Sequence, residues 1–330
     1  MKQQKIVAVG DCTVDTFIRL HDASVHCNLN NRDCLLCLSF ADKVPYEELT
    51  VVPAVGNASN VAVGTARQGL KSSILAAVGD DEYGRQILDV YKQEGVDRSL
   101  VYVDKKEQTN NHFVLNFQAE RTILIKQHRY RYHDFKKIGS TGWVYLSSLA
   151  GDNAAIHKEF GAYLKKHPKI KLGFNPATYE MKMGTRVLRD IYKNTYVLFI
   201  NREEAQRVLK IKSADIKVLI NGLHKLGPKI VTISDGPDGA YASCGKERYR
   251  MPIYPDPAPP LERTGAGDAF SSGFMSALIE GHDFVKALIR APVNSMNVVQ
   301  HIGAQKGLLS KSQIDRLLKK APKSYKPRKI

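Results

Sequence analysis

Apolar runs alternate with amphipathic segments along most of the chain. Several of these runs are apolar throughout and do not alternate with polar residues, which is typical of strands that are covered on both faces. The six predicted strands are residues 6–9, 73–78, 143–146, 170–174, 196–200 and 229–233. The predicted helices are residues 57–68, 84–93, 153–166, 183–192, 202–209 and 214–226. This alternation predicts βαβ units and a mostly parallel sheet in an α/β fold.

Two stretches interrupt the alternation. Residues 20–52 contain most of the cysteines and a polar, loop-like segment, and residues 102–126 alternate in the manner of a hairpin. In the second stretch Phe113, Leu115 and Phe117 share one face. Because antiparallel pieces inserted into a parallel α/β domain commonly form a flap over its site, we predict one small lid.

Composition and length are those of a globular protein. The 330 residues are 43% hydrophobic and 25% charged, enough for one large domain over 1–330 with a smaller appendage. The first residues enter a strand without the apolar stretch of an export signal, and no run approaches the ~20 apolar residues of a membrane span. These features predict a cytoplasmic protein with no membrane partner.

The net charge of +16 is unevenly distributed. Residues 304–330 contain nine Lys or Arg and one Asp, which is half of the excess, and end in a basic tail at 321–330 that we predict to be frayed. No recognised nucleic-acid motif accompanies this charge. We therefore expect a solvated basic surface that attracts anionic substrates, and nucleic acid is not an expected partner.

The five cysteines form an odd set that argues against a disulfide framework. Four side chains in the string HCNLNNRDCLLC, His26, Cys27, Cys34 and Cys37, are of the types that bind zinc. Their spacing matches no common zinc module, so a metal site and ordinary thiols both remain open.

The string LERTGAGDAF carries the strongest chemical signal. Gly265, Ala266 and Gly267 have little or no side chain, so a ligand can approach their amides before the predicted helix at 269–280. Such a helix N-terminus attracts phosphate, and Asp268 adds a base beside it, as phosphoryl transfer to a hydroxyl requires. The alternative is a glycine-rich turn with an aspartate cap.

Polar residues recur where the predicted strands end, the edge at which open parallel sheets bind ligands. They are Asp11 and Asp15, Asn175, Asn201 and Glu204, and Ser234, Gly236 and Gly239. Each has a structural alternative: Asn201 and Glu204 can form a capping box, and the string SDGPDG can be only a turn.

The string AVGNASN adds groups suited to sugar hydroxyls. Gly56 opens a turn, and the amides of Asn57 and Asn60 can both donate and accept. The carboxylate of Asp15 can accept from two neighbouring hydroxyls. The alternative is a helix N-terminus capped by asparagine.

Together these motifs resemble the ribokinase-like carbohydrate and nucleoside kinases, the phosphofructokinase-B family. The resemblance covers nearly the whole chain in the order GDCTVD, GNASN, AVGDDEYG, Asn-x-x-Glu, SDGPDG, TGAGD and IGAQKG. It implies a three-layer α/β/α domain with a mostly parallel sheet and a small β-lid made from residues 20–52 and 102–126. In some members the lid also forms a homodimer interface.

The resemblance also implies residue roles. Asp268 is expected to be the catalytic base, and Gly265, Ala266 and Gly267 the anion hole. The sugar is expected at Asp15, Gly56, Asn57 and Asn60. The nucleotide, ATP, is expected at Asn201, Glu204, Ser234, Gly236, Gly239 and Gly303, with Glu204 holding Mg2+ through water.

The chain departs from the family pattern in three places. Val55 and Gly56 stand where two glycines are usual, and Pro292 replaces an asparagine near the adenine, although Asn294 is close. Glu262 stands where an aspartate commonly helps to place a monovalent cation, which makes K+ a candidate cofactor and leaves its role open.

The expected activity is ATP-dependent phosphorylation of a hydroxymethyl group on a simple sugar such as ribose or fructose. A nucleoside, adenosine-like, is the alternative acceptor, and the basic lid residues equally suit an acidic sugar or a sugar phosphate. These residues are Arg121, Lys126, His128 and Arg129. A catalytically silent nucleic-acid or regulatory module is a different class, against which Asp268 and the Asn-x-x-Glu motif argue.

Overall fold

The computed structural model describes residues 4–28, 34–118, 120–130, 132, 135–139 and 141–330. The strands are β1 Lys5–Val9, β2 Thr13–Leu20, β3 Ser24–Cys27, β4 Cys34–Cys37, β5 Tyr46–Val55, β6 Lys71–Leu75, β7 Ala77–Gly79, β8 Tyr102–Asp104, β9 Asn111–Phe117, β10 Glu120–Leu124, β11 Trp143–Ser147, β12 Lys171–Asn175, β13 Thr195–Asn201, β14 Ile230–Ser234, β15 Ala240–Cys244, β16 Glu247–Met251 and β17 Arg328–Lys329. The helices are α1 Asn57–Arg67, α2 Glu82–Gln93, α3 Ala154–Lys166, α4 Thr178–Val187, α5 Arg189–Lys193, α6 Arg202–Leu209, α7 Ile216–Leu226, α8 Ala266–Ile279, α9 Phe284–Val298 and α10 Lys311–Lys319.

The main sheet contains five of the six predicted strands and the first part of the strand predicted at 73–78, whose last residues belong to β7 and pair with β8 in a separate sheet. Its order is β17-β16-β15-β14-β13-β12-β11-β1-β6, and the pairs from β14 to β6 are all parallel. The strands β15, β16 and β17 continue it antiparallel. The predicted mostly parallel sheet is therefore confirmed.

Helices cover both faces of this sheet. Neighbouring residues of one strand point into different layers, as the two-residue period requires. Tyr145 packs in the layer that contains Phe274 of α8, whereas Leu146 packs in the layer that contains Phe160 of α3. The three-layer α/β/α architecture follows. Within the described ranges, no helix has the length and apolar character to cross a membrane.

A second, four-stranded sheet with the order β10-β9-β2-β5 forms the lid. Its extent differs from the prediction, because its inner strand β2 precedes residue 20. The segment β8, which the prediction included in the lid, pairs instead with β7. Which strands join a sheet depends on long-range pairing, and polarity alternation alone does not reveal the partner.

One predicted helix is divided. The pattern at 183–192 predicts a single helix, but the structure has α4 and α5, with a non-helical Gly184 at φ 79° inside the first. A left-handed residue interrupts the helical hydrogen-bond ladder, and glycine adopts that conformation without steric cost.

The segment 20–52, which was predicted to belong to the lid, contains a disulfide, contrary to the expectation from the odd number of cysteines. The hairpin β3–β4 places Cys27 directly opposite Cys34, with their Cα atoms 4.0 Å apart, and the two are bonded. Cys37 lies at the other end of the hairpin, opposite Ser24. In the part of the chain that is described, no group of three or more His, Cys, Asp or Glu side chains is arranged to hold a metal ion. The zinc site at Cys27, Cys34 and Cys37 is therefore not assembled; residues 29–33 of the predicted loop lie outside the described residues.

The C-terminal tail is docked and not frayed, contrary to the prediction. Strand β17 pairs with β16 at the edge of the main sheet. Tyr325 is buried, donates its hydroxyl to the carbonyl oxygen of Ile289 at 2.6 Å, and packs edge-on against Tyr254. Strand pairing and burial of an aromatic ring offset the entropy of ordering these residues.

Candidate active site

The carboxyl ends of the parallel strands open into a cavity of about 460 Å³, with the lid opposite. The cavity brings together most of the predicted site residues. Those that line it are Asp15, Gly56, Asn57, Asn60, Asn201, Glu204, Ser234, Gly265, Gly267 and Asp268. Because these residues come from many separate elements and loops, the common cavity supports a single site.

Asp268 lies in the first turn of α8 and is buried. Asn60 donates from Nδ2 to its Oδ2 at 2.7 Å, and the Oδ1 of Asn60 accepts from the Nε2 of Gln305 at 3.0 Å. Burial raises the pKa of Asp268 to about 7, the hydrogen bond from Asn60 opposes this rise, and the charge of Glu204 adds to it. A pKa near neutrality suits a general base. Gln305 lies in the IGAQKG string, but no local pattern there marks it as the partner of Asn60.

The turn before Asp268 brings Gly265 and Gly267 to the cavity, and Ala266 between them donates its amide to the carbonyl oxygen of Arg263 at 3.4 Å. Gly265 has φ 79°, and a Cβ on it would clash with the Cβ of Ala304, so this position requires glycine. A Cβ on Gly267 would meet none of the described atoms within 4 Å. The first amides of a helix lack acceptors within it, so an anion can bind the amide of Gly267 directly and that of Ala266 in place of its long contact with Arg263.

The acceptor end of the cavity contains a chain of amides. Asn57 donates from Nδ2 to Oδ1 of Asn175 at 3.0 Å, and the hydroxyl of Ser147 donates to the same oxygen at 3.1 Å. Asn175 in turn donates to the carbonyl oxygen of Phe199 at 3.0 Å. Gly56, which precedes Asn57, packs closely against the end of the first strand, since a Cβ on it would lie 2.8 Å from the carbonyl oxygen of Asp11.

Asp15 presents an unsatisfied acceptor to this cavity. Its Oδ1 is buried and has no hydrogen-bond partner among the residues described. His112, directly opposite on β9, places its Nδ1 3.6 Å from that oxygen. A sugar hydroxyl can supply the missing donor. His112 was missed, although the alternation of β9 places it opposite to the Phe113 face.

Asp11 also lines the acceptor cavity, and both of its carboxylate oxygens accept hydrogen bonds. Its Oδ1 accepts from the amide of Ala150 at 3.1 Å, and its Oδ2 accepts from the side chain of Gln127. Burial raises the pKa of Asp11 to about 8, despite the hydrogen bond from Ala150. The surroundings of Asp11 therefore disfavour its charged form.

A second, more apolar cavity of about 420 Å³ lies beside the first. The two cavities share Ser234, Gly267 and Phe270, so they meet at the start of α8. The remaining described residues that line the second cavity include Gly236, Gly239, Ala266, Pro292, Ile253, Tyr254, Met296 and Val299. An apolar pocket with a few polar groups at its mouth is suited to a nucleotide base.

Asn294 has a structural role. It donates from Nδ2 to the carbonyl oxygen of Ala269 at 2.9 Å and accepts from the amide of Leu309 at 2.9 Å. The side chain is buried between α8 and α9. It therefore supports the helix that carries Asp268 and does not replace the asparagine expected near the adenine.

Asn201 and Glu204 lie at the start of α6, at the edge of the cavity. They form a capping box on α6, with hydrogen bonds of 2.8 and 2.9 Å. The Oε1 of Glu204 makes no hydrogen bond within the described residues, and the residue borders the cavity. Burial raises the pKa of Glu204, and the hydrogen bond from Asn201 opposes the shift. A fixed carboxylate with one free oxygen fits the outer coordination sphere of Mg2+, which keeps several waters.

Glu262 forms hydrogen bonds within its own loop and with the loop that contains Gly303. Its Oε2 accepts from the amide of Gly303 at 2.8 Å, and its Oε1 accepts from the hydroxyl of Thr264. Both carboxylate oxygens are thus engaged by the protein. Gly303 is absent from the described residues that line either cavity. The two residues join the loop before α8 to the loop that contains Gly303.

A buried carboxylate lies beside the first amides of a helix, where an acceptor cavity meets a nucleotide-type cavity. This arrangement defines a phosphotransferase that uses an alcohol as acceptor. Residues 4–311 match the pfkB family of carbohydrate kinases. The chain belongs to this family, whose members use ATP.

Relatives with several acceptors resemble this chain. The ribokinase of Bacillus subtilis is 28% identical over 271 residues, covering 80% of this chain and 87% of that protein. The 5-dehydro-2-deoxygluconokinase of Halalkalibacterium halodurans is 25% identical over 293 residues, covering 80% and 85%. Identities this low leave the acceptor of this chain unassigned.

Solved structures confirm the ribokinase-like fold and its small β-lid. Arabidopsis thaliana ribokinase, complexed with ribose and ATP, has a TM-score of 0.81 at 20% identity, covering 97% of this chain and 99% of that one. The nucleoside kinase of Methanocaldococcus jannaschii has a TM-score of 0.79 at 19% identity, with the same coverage.

Proposed function

We propose that this protein transfers the γ-phosphoryl group of ATP to a hydroxymethyl group of a ribose- or fructose-like sugar. The observation that carries the proposal is the position of Asp268, buried where the two cavities meet and held by Asn60 at 2.7 Å. A carboxylate with a pKa of about 7 can take the hydroxyl proton as the oxygen attacks phosphorus.

Other residues orient the reactants. Asp15 and Asn57 bind sugar hydroxyls, so that the hydroxymethyl group faces Asp268. The amides of Gly265, Ala266 and Gly267 bind the transferred phosphoryl group and stabilise its charge in the transition state. Glu204 and Asn201 would hold Mg2+ through water, and the ion, when bound, would neutralise the charge of the phosphates. Lid closure excludes water.

A panel of sugars and nucleosides, assayed for ADP release with ATP and Mg2+, tests this function. We expect a sugar to be phosphorylated and the product to carry the phosphate on its hydroxymethyl oxygen, which phosphorus NMR identifies. Turnover of nucleosides alone would favour the adenosine-like alternative. The absence of ADP release with every compound on the panel, together with salt-sensitive nucleic-acid binding, would favour a binding module.

One lid residue favours an anionic acceptor as a second candidate. Arg121 is the single Lys or Arg among the described residues that line the acceptor cavity. It makes no ion pair with the residues described, and Ile123 and Ile125 line the cavity beside it. An unpaired guanidinium next to apolar side chains can bind the carboxylate or phosphate of an acidic sugar or a sugar phosphate.

We expect R121Q to lower kcat/KM for an anionic acceptor by about tenfold or more, since a charge-assisted hydrogen bond contributes about 1.5–3 kcal/mol. The neutral counterpart of the same sugar should be unaffected. The matched control is K126Q, which removes the same charge from the lid at a position that borders a different cavity. Equal losses in both variants, or for both acceptors, would remove the anionic candidate.

The outer face of the lid supports a homodimer. Val51, Phe113 and Leu124 lie in one cross-strand row, joined through Thr16 of β2, and Leu49 lies two residues from Val51 on the same face. Their exposed fractions are 39%, 41%, 52% and 47% in the order named. An apolar sheet face of this kind fits a second copy of the same face, because twofold contacts are self-complementary.

We expect the protein to sediment as a dimer and F113E to sediment as a monomer, since it places a charge at the centre of the apolar row. Analytical ultracentrifugation measures both. E120Q, at the start of β10, is the control for lid substitutions and should remain dimeric. A monomeric parent protein, or a dimeric F113E, would contradict this interface.

A further inference from the structure

The docked C-terminal strand creates a feature that the phosphotransfer site does not use. In the antiparallel pair β16–β17, Arg328 lies directly opposite Arg250. Both side chains line a cavity of about 260 Å³, whose other described lining residues are Pro252, Ile253, Pro255, Ser324 and Tyr325. Directly opposed like charges destabilise a strand pair. A negative counter-charge would therefore stabilise this pair of arginines.

The protein supplies only part of that charge. Arg250 donates from Nε and Nη2 to the carbonyl oxygen of Asp238, at 3.1 and 3.0 Å, and lies 3.7 Å from its carboxylate. The side chain of Arg328 makes no hydrogen bond or ion pair with any residue in the described ranges. Among the described residues, the one carboxylate beside the pair is thus that of Asp238, which Arg250 already engages.

We propose that this cavity binds an anion of the phosphate class, either inorganic phosphate or the phosphate group of a sugar phosphate. Guanidinium groups bind phosphate oxygens in a bidentate manner, and the hydroxyl of Ser324 adds a neutral donor. Tyr325 lines the cavity but does not offer its hydroxyl to an anion, because that hydroxyl donates to the carbonyl oxygen of Ile289. The volume is below the range of about 300–1,000 Å³ that is usual for whole drug-sized ligands, so it suits a single phosphate group.

The site lies next to the nucleotide-type cavity and is distinct from it. Ile253 lines both cavities. Asp238, whose carbonyl oxygen accepts from Arg250, belongs to the SDGPDG turn. The glycines of this turn, Gly236 and Gly239, border the nucleotide-type cavity. An anion at the arginine pair therefore contacts the wall of that cavity from outside.

Thermal unfolding of the full chain tests the proposal. The buffer contains Mg2+ and a saturating non-hydrolysable ATP analogue that fills the phosphoryl positions at α8, and sodium chloride keeps the ionic strength constant. Inorganic phosphate and ribose 5-phosphate are titrated separately. We expect Tm to rise with either anion, because a ligand that binds only the folded state stabilises it by mass action. The anion with the lower half-saturation identifies the physiological source.

The decisive comparison is between R328Q and K329Q. Both remove one positive charge from β17, but successive strand residues point to opposite faces, so only R328Q changes the arginine pair. We expect R328Q to lose the phosphate-dependent rise in Tm and K329Q to keep it. An equal rise in the parent protein and R328Q, or an equal loss in both variants, overturns the proposal. Sugar phosphorylation is measured separately, so its failure would not affect this result.

Discussion

Asp268→Asn should lower kcat by about 10²- to 10⁴-fold, the usual contribution of a positioned general base. Asparagine keeps the shape of the side chain but cannot accept the proton of the acceptor hydroxyl. The amides of Gly265 to Gly267 remain, so binding of the ATP analogue should change little. Steady-state kinetics and calorimetric titration of the analogue measure the two quantities, and near-normal turnover would remove Asp268 from the role of base.

The same variant should be more stable than the parent protein at pH 8. Burial raises the pKa of Asp268 to about 7, whereas that of an unfolded aspartate is 3.8. A raised carboxyl pKa means that the charged form is disfavoured in the folded state. The folded state therefore loses stability as pH rises from about 4 through 7, and a neutral amide at this position removes the loss. A higher Tm for D268N at pH 8, with a smaller difference at pH 4, separates a catalytic defect from misfolding.

Asn60→Ala should shift the pH dependence of kcat/KM upward. The activity of the parent protein should fall below a pKa of about 7, because protonated Asp268 cannot act as a base. Asn60 donates to the charged form at 2.7 Å, and this hydrogen bond lowers the pKa. Loss of a hydrogen bond worth about 1.5–3 kcal/mol raises the pKa by roughly one to two units. At pH 6 the rate should therefore fall about 10- to 100-fold and recover at high pH.

Asn57→Ala is the matched control for this effect. Asn57 lines the same cavity three residues earlier, but its amide donates to Asn175 and does not contact Asp268. We expect it to raise the KM for the sugar without moving the acidic limb of the profile. If N57A and N60A shift that limb equally, the hydrogen bond to Asp268 does not set its pKa.

Several features could be predicted because they are local. The strands at 6–9 and 143–146 are continuous apolar runs, and the helix at 202–209 has the same bounds in the structure as in the prediction. A strand buried on both faces and a helix with a capping box each leave a pattern in consecutive residues. The importance of Gly265 could likewise be predicted from its motif. The structure gives the reason, since only glycine fits the left-handed turn beside Ala304.

The features that escaped prediction depend on distant residues. Gln305 reaches Asn60 across 245 positions, and His112 meets Asp15 only because β9 pairs with β2. The bonded pair of Cys27 and Cys34 depends on the register of a hairpin, which the alternation of its strands does not determine. None of these contacts leaves a periodic signal within either segment alone.

The sequence by itself determined the α/β class, the order of the motifs and the chemical groups available for phosphoryl transfer, because these follow from residue type and short-range spacing. Only the tertiary structure decided that Asp268 has a pKa of about 7 and that the tail is docked with Arg328 opposite Arg250. Burial and electrostatic pairing depend on which distant segments exclude water from a group. Asn60 and Asp268 are 208 residues apart and become neighbours only when α1 packs against α8.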